Sequence, residues 1–395
     1  NWSTALRNIQ SAIDIAENGD KILLAGHVFS VTTPVRANRS NITIAGGYAA
    51  TNSAGPGTNN PSLWRTIIRR NPAGGYTRVF EVRAITNTFI NGITIDNGYL
   101  AGHVVAGGLL ISNSTVVLEQ CTVQSNQITH SVNHWPCGGG MAVISSSVLM
   151  TNCVIQGNMI RDGAGAWGGG GYGGGIYVAS GSLVLRNSRI TGNTAYSAGY
   201  SGGTGGGLYL AGGPNFLENC VIEKNTAQGA SYGGANGGGI YITGSTAGTI
   251  RNCVINKNTA TCSTYNTANG GGICANGGIF QNCLIVSNSA KEAGGGARLT
   301  HSSAQLLNCT VADNTSINGD AAGVSMSAGC LTNCIVFYNQ RIVDNQEVNI
   351  VKSGGNITYS CSRPLESGTG NIANEPEFVE RSSGDYRLIN RFALY

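Results

Sequence analysis

One signpost governs this sequence: an Asn-Cys-apolar step that returns about every 30 residues. It appears as Asn152-Cys153-Val154-Ile155, Asn219-Cys220-Val221-Ile222, Asn252-Cys253-Val254-Ile255, Asn282-Cys283-Leu284-Ile285, Asn308-Cys309-Thr310-Val311 and Asn333-Cys334-Ile335-Val336. Gln120-Cys121-Thr122-Val123 is a variant, and Asn187-Ser188-Arg189-Ile190 carries serine for cysteine. Successive Cys or Ser positions lie 32, 35, 32, 33, 30, 26 and 25 residues apart, and Asn91-Gly92 extends the series back by 29. A second signpost follows each step: Asn97, Asn126, Asn158, Asn193, Asn225, Asn258, Asn288, Asn314 and Asn339. Glycine clusters lead into short apolar strands, as in Gly173-Gly174-Gly175-Ile176-Tyr177-Val178, and another such strand, as in Leu183-Val184-Leu185, precedes each Asn-Cys.

Each repeat therefore reads as three strands of three to five residues separated by turns. Nothing between residues 100 and 340 has helical periodicity. Three short strands without hairpin arms make one turn of a solenoid, and stacked turns about 4.8 Å apart align equal positions into ladders. The pattern predicts an all-β, right-handed parallel β-helix with three-strand coils and an N-terminal capping α-helix. Stacked asparagines hydrogen-bond along the axis, and glycines permit corner conformations that other residues resist. The chain divides into a helical cap (1–20), coils (21–340) and irregular C-terminal coils (341–395), all one domain. Ala5, Ile9, Ala12, Ile13 and Ala16 place the cap helix within Thr4 to Asn18, ended by Gly19. A solenoid needs such a cover on its open end. Residues 48–64 read as an inserted loop.

Composition bears on where such a chain works. Charged residues are 11%, against about 25% in ordinary domains. Amides, hydroxyls and 60 glycines keep the surface polar, which suits a protein outside the cell or on its surface. The net charge of +4 is small and scattered, so nucleic acid is not an expected partner. No run of 18 apolar residues exists, so no membrane span is expected. The absence of a start methionine and signal peptide at Asn1 reads as a mature or excised segment.

The 12 cysteines do not form zinc spacings, since no CxxC pair exists. In Cys-Val-Ile the first and third residues share a face, so the ladder cysteines read as small buried packing groups, with oxidation of some neighbouring pairs as the alternative. Cys137, Cys262, Cys274, Cys330 and Cys361 lie off the ladder. Of these, Cys262 and Cys274 are the preferred disulfide pair. Neither a metal nor another cofactor is expected.

Several segments resemble known families. Trp2-Ser3-Thr4-Ala5, Ile9-Gln10-Ser11-Ala12-Ile13-Asp14 and Gly19-Asp20 are similar to the opening of bacterial right-handed parallel β-helix repeat proteins of the pectate-lyase-like superfamily. The glycine-apolar elements with Asn193-Thr194-Ala195, Asn225-Thr226-Ala227 and Asn258-Thr259-Ala260 resemble chlamydial polymorphic-outer-membrane-protein repeats. The tail, with Glu375-Pro376-Glu377-Phe378-Val379 and Gly384-Asp385-Tyr386-Arg387-Leu388, resembles the closing segment of secreted β-helix proteins that carry C-terminal anchoring or sorting domains. The resemblance covers nearly the whole chain and implies a secreted or surface-displayed β-helix. The sequence departs from the family at both edges, which usually carry a strand before the tryptophan and more chain after Arg387-Leu388, and this puts any anchor module in doubt or places it outside this chain.

Many β-helices of that superfamily cleave polysaccharides, which takes clustered carboxylates with Lys or Arg. Here the 19 carboxylates are scattered. Asp96, Glu119, Glu218 and Glu223 flank the Asn-Cys strand, and Glu218 and Glu223, with Lys224 and Arg251 nearby, read as a surface ion cluster. His103, His130 and His134 fall in loops of adjacent coils beside Trp135 and Cys137 without a carboxylate partner, which reads as surface rather than catalysis. No catalytic residue is assigned.

The aromatic pattern is the stronger functional signal. Tyr177, Tyr209 and Tyr241 hold the middle of the glycine-led strand in three successive coils, and their neighbours point inward. They predict an outward tyrosine ladder. Trp135, Trp167, Tyr172, Tyr196, Tyr200, Tyr232 and Tyr265 lie in the preceding loops and should emerge at the same corner. Such rows suit sugar rings or a protein surface, or simply stack on themselves. Val154, Val221, Val254, Leu284 and Ile335 should form an outward apolar row beside the cysteines, interrupted by Arg189. The reading that follows is a non-enzymatic structural or adhesive surface protein, partnered by itself in a homo-oligomer or filament, or by surface glycans. The alternative is a polysaccharide-binding or polysaccharide-degrading β-helix protein.

Overall fold

The computed structural model describes residues 2, 5–50, 55–102, 104–130, 135–162, 169–198, 201–230, 233–244, 248–263 and 266–389. The chain winds as a right-handed parallel β-helix. Its strands collect into two sheets of 12 strands, one of 11 and one of 10, in which the main stacked neighbours are parallel. Register follows the repeat: Ile176, Tyr177 and Val178 pair with Leu208, Tyr209 and Leu210, which pair with Ile240, Tyr241 and Ile242. The stretch before Asn-Cys and the Asn-Cys stretch stack in the same way, as in Leu185 on Leu217 and Ile190 on Ile222.

From Tyr99–Ala101 to Gln340–Arg341 the coils carry a fourth strand that the repeat did not reveal. The residues after the second asparagine pair from coil to coil, as in Thr194–Ser197 on Thr226–Gly229 and Thr259–Thr261. Their alternation is only one turn long: Ala195, Ala227 and Ala260 point in, and their neighbours are half-buried. So short a pattern is not separable from a turn in sequence. A further 4-stranded sheet, Gly170–Tyr172, Gly202–Thr204, Ala235–Asn236 and Ala268–Asn269, stacks just before the glycine corner.

The asparagine ladder is continuous. Asn126, Asn158, Asn193, Asn225, Asn258, Asn288, Asn314 and Asn339 are buried. Each amide from Asn158 to Asn339 accepts from the backbone N–H and side chain of the preceding asparagine, whereas Asn126 accepts from Gly98 N at 2.7 Å; Asn193 N and Nδ2 donate to Asn225 Oδ1 at 3.0 and 2.9 Å. Asn225 Nδ2 then donates to Ile190 O at 3.0 Å and to Asn258 Oδ1 at 3.0 Å. Buried amides thus satisfy both a bend in the chain and each other.

The cysteine ladder runs parallel to it inside the core, and the described cysteines are free thiols. Each ladder thiol turns back to the carbonyl two residues earlier, as in Cys220 Sγ to Glu218 O at 3.2 Å and Cys309 Sγ to Leu307 O at 3.3 Å. Ser188 and Ser360 do the same with hydroxyls, at 2.7 and 2.9 Å. A hydrogen bond to Cys153, with burial, pushes the Cys121 thiol well up. Cys262 and Cys274 do not form the expected disulfide. Cys262 Sγ lies over Asn266 O at 2.8 Å beyond the fourth strand, whereas Cys274 stands in the glycine-led sheet in register with Tyr241. Neighbours in sequence are here carried to opposite sides of a corner.

The ends also depart from expectation. The cap helix is shorter than the apolar spacing suggested, Ile9–Ile15, with Asn8 as N-cap accepting from Gln10 N at 2.8 Å and Ala16 already extended. Ile9 and Ile13 plug the open end. The coils continue beyond residue 340: Ile350–Lys352, Asn356–Thr358 and Cys361–Ser362 each extend a sheet. A hairpin, Phe378–Glu380 with Asp385–Leu388, follows them. It is tied back to the coils by Arg381 Nη1 to Asp313 at 2.8 Å and Tyr386 to Asp313 at 2.8 Å.

Candidate contact face at the glycine corner

Three glycines make the corner, for two physical reasons. The first in each coil, such as Gly173 or Gly205, sits at φ +69° or +66°, which favours glycine, and a Cβ there would also lie 2.4 Å from Ile176 O or Leu208 O. The second has ordinary backbone, but no room: a Cβ on Gly206 would lie 2.4 Å from Gly238 O and 2.4 Å from Thr226 C. The corner is therefore closed backbone to backbone, and the strands on either side of it bring their outward side chains together.

Tyrosines meet there. Tyr177 and Tyr209 lie 5.3 Å apart between ring centroids at 32°, and Tyr209 and Tyr241 lie 5.1 Å apart at 22°. Tyr172, from the short strand before the corner, tilts onto Tyr209 at 5.0 Å. The four rings form one half-buried surface. Burial pushes the Tyr177 hydroxyl well above its usual range, helped by Cys137 beside it; burial and Tyr241 do the same to Tyr209. Burial pushes the Cys137 thiol up to about 12. These groups are neutral in ordinary conditions and offer rings and hydroxyls.

The row has definite ends. Toward the N-terminus the register runs from Tyr177 to Ala142, Leu110, Glu81 and Arg36; toward the C-terminus it runs from Tyr241 to Cys274 and Arg298. Leu110, Ala142 and Tyr177 pack with Val105 and Ile144. Trp135 is 57% exposed at this side of the corner. Tyr196 is instead on the fourth-strand sheet, in register with Arg161 and Gln228. Trp167, Tyr200, Tyr232 and Tyr265 lie outside the described residues, as do His103 and His134; of His130 only the backbone is described.

The second row is real in register but mixed in kind. Val154, Arg189, Val221, Val254, Leu284, Thr310 and Ile335 stack in that order, all but Arg189 half-buried. Arg189 pairs with Glu223. The closing segment shares a cavity of about 560 Å³ with this row's end, bringing Leu388 and Ile389 near Thr310 and Ile335. Glu218 pairs with Arg186 at 3.4 Å and with Arg251, so the carboxylates here bind guanidinium groups of adjacent coils.

The sequence reading missed a cluster of Arg36, Arg78 and Arg83 around Glu81. Its one signal was the density of arginine between residues 65 and 83, where the Asn-Cys signpost is absent and register could not be assigned. Among the described residues, no group of three or more His, Cys, Asp or Glu is placed to hold a metal ion, and no helix is long and apolar enough to cross a membrane. The family model described as right handed beta helix region matches residues 174–363. Comparison with curated proteins gives no match.

Proposed function

We propose that this β-helix protein is a non-enzymatic module of the cell exterior that works by contact, with the tyrosine-lined glycine corner as its contact face. The observation that carries the reading is the ring surface of Tyr172, Tyr177, Tyr209 and Tyr241, carried on stacked, hydrogen-bonded strands. Rigid aromatic rings lose little entropy on binding and offer flat apolar area with polar edges, which suits sugar rings and protein surfaces alike. An immobilised array of glycans and extracellular-matrix proteins tests it. Wild-type protein should be retained by at least one class and a Tyr209→Ala variant retained far less. Release of shortened glycan products from the same wells would replace the reading with a catalytic one.

A second reading, self-assembly end to end, has its own support. Among the described residues, the first strand of the cysteine-bearing sheet, Val28–Val31, pairs with a strand on one side only. It borders a groove of about 700 Å³ with Trp2, Leu6, Phe29 and Val31 beside the cap helix. At the other end Val351, Tyr359 and Ile372 are exposed. Head-to-tail contact between unlike ends gives an open fibre. Negative-stain images showing filaments would support it, and uniform single particles across concentrations would exclude it.

A further inference from the structure

The coils just before the tyrosine row hold a charge imbalance. Glu81 is 8% exposed and faces three guanidinium groups: Arg36 Nε at 3.3 Å, Arg78 Nη1 at 3.2 Å and Arg83 Nε at 3.3 Å. One carboxylate against three arginines leaves two positive charges over. Arg36 and Arg83 are 66% and 54% open, so water screens them. Arg78 is only 11% open, and its Nη1, though close to Glu81, has no hydrogen-bond partner. Burial, together with the like charges of Arg83 and Arg36, works against its charged form while Glu81 supports it. A covered guanidinium with one misaligned partner is an incomplete ion pair.

Beside it lies a pocket of about 420 Å³. It is lined by Arg78 and Arg83, by the apolar side chains of Val104, Val105, Leu110 and Ile144, and by Trp135. We infer that this pocket binds a small organic anion, its carboxylate on Arg78 and Arg83 and its aromatic or branched aliphatic body on Val105, Leu110 and Ile144. A guanidinium pairs with a planar carboxylate through two parallel hydrogen bonds. A single negative charge is enough, because the remaining surplus is on exposed arginines. The volume suits a small molecule rather than a chain. An inorganic anion would leave the apolar wall unused, and a sugar, though met by Arg78, Arg83, Ser112 and Asn113, would lay its hydroxyls against Val104, Val105, Leu110 and Ile144.

Isothermal titration calorimetry of the full chain with phenylacetate, phenylacetamide and sulfate tests the inference. Phenylacetate is expected to bind at least about tenfold more tightly than its neutral amide or sulfate, the loss of a charged hydrogen bond or of apolar contact being at least that large. Arg83→Gln, at an exposed side chain, should weaken phenylacetate several-fold. Arg78→Gln should weaken it more, with circular dichroism reporting whether that variant folds. Ser112→Trp, at an outward strand position lining the pocket, should abolish binding even if Arg78→Gln fails to fold. Tyr241→Ala should leave it unchanged, which separates this site from the contact reading of the tyrosine row. Equal binding of acid and amide, equal binding of sulfate, unchanged affinity in Ser112→Trp, or no binding of phenylacetate at millimolar concentration to folded protein would each overturn the inference.

Discussion

At the residue scale, stability rests on buried polar groups that satisfy one another along the axis. Asn225 accepts two hydrogen bonds from Asn193 and donates to Ile190 O and Asn258 Oδ1. Asn225→Ala would strand the Asn193 amide donors and the Ile190 carbonyl in the core. It should cost about 3 kcal/mol or more, read as a lowered midpoint in urea. The tyrosine row sets a pH limit. Burial raises Tyr177 and Tyr209 above the ordinary value of 10.0, so the folded state holds protons that the unfolded chain would release. Their contribution is therefore complete below pH 10 and is lost as pH rises from there toward the folded values. Denaturation midpoints followed from pH 8 to alkaline pH (on the order of 8 to 11) should hold steady, then fall, and Tyr177→Phe with Tyr209→Phe should flatten the fall. Cys137, buried and with its thiol pushed up to about 12, should resist alkylation at neutral pH; rapid labelling of Cys137 in the folded protein would contradict that placement.

At the element scale, glycine meets two separable needs, one at the turn after the Asn-Cys strand and one at the glycine corner. Gly157 has positive φ but open space around an added Cβ, whereas Gly206 has ordinary φ and carbonyl oxygen and carbon at 2.4 Å. Gly206→Ala should destabilise by about 2 kcal/mol or more through a clash that only backbone movement relieves. Gly157→Ala should cost about 1 kcal/mol, the left-handed conformation alone. Thermal unfolding of the two variants ranks them. Much of this scale was legible in the sequence. Asn-Cys and glycine signposts gave the coil and its register because each marks a ladder position that tolerates few residues. The fourth strand was not legible, because Thr-Ala-x is too short to show alternation. The cap helix was overextended because Ala5 and Ala16 keep helical spacing while Asn8 and the extended Ala16 end the helix inside them. Cys262 and Cys274 were paired by nearness in sequence, which a solenoid corner does not preserve. The arginine cluster showed only as a local density of arginine, because its coils lack the signpost that sets register.

At the scale of the whole molecule, the inward ladders are uniform and the outward rows are not, so the proposed contact role falls to the outside of the coil. Two outward rows compete for the contact role. The tyrosine row is a continuous ring surface at the glycine corner. The valine row beside the cysteines is broken by Arg189, which pairs with Glu223, and its far end lies near the chain's own closing segment. The most direct measurement is retention on the array's strongest ligand of two folded variants: Tyr177→Ser, Tyr209→Ser and Tyr241→Ser together, and Val154→Ser, Val221→Ser and Val254→Ser together. The account predicts that the tyrosine variant loses retention and the valine variant keeps it. Retention kept by the tyrosine variant and lost by the valine variant would contradict it.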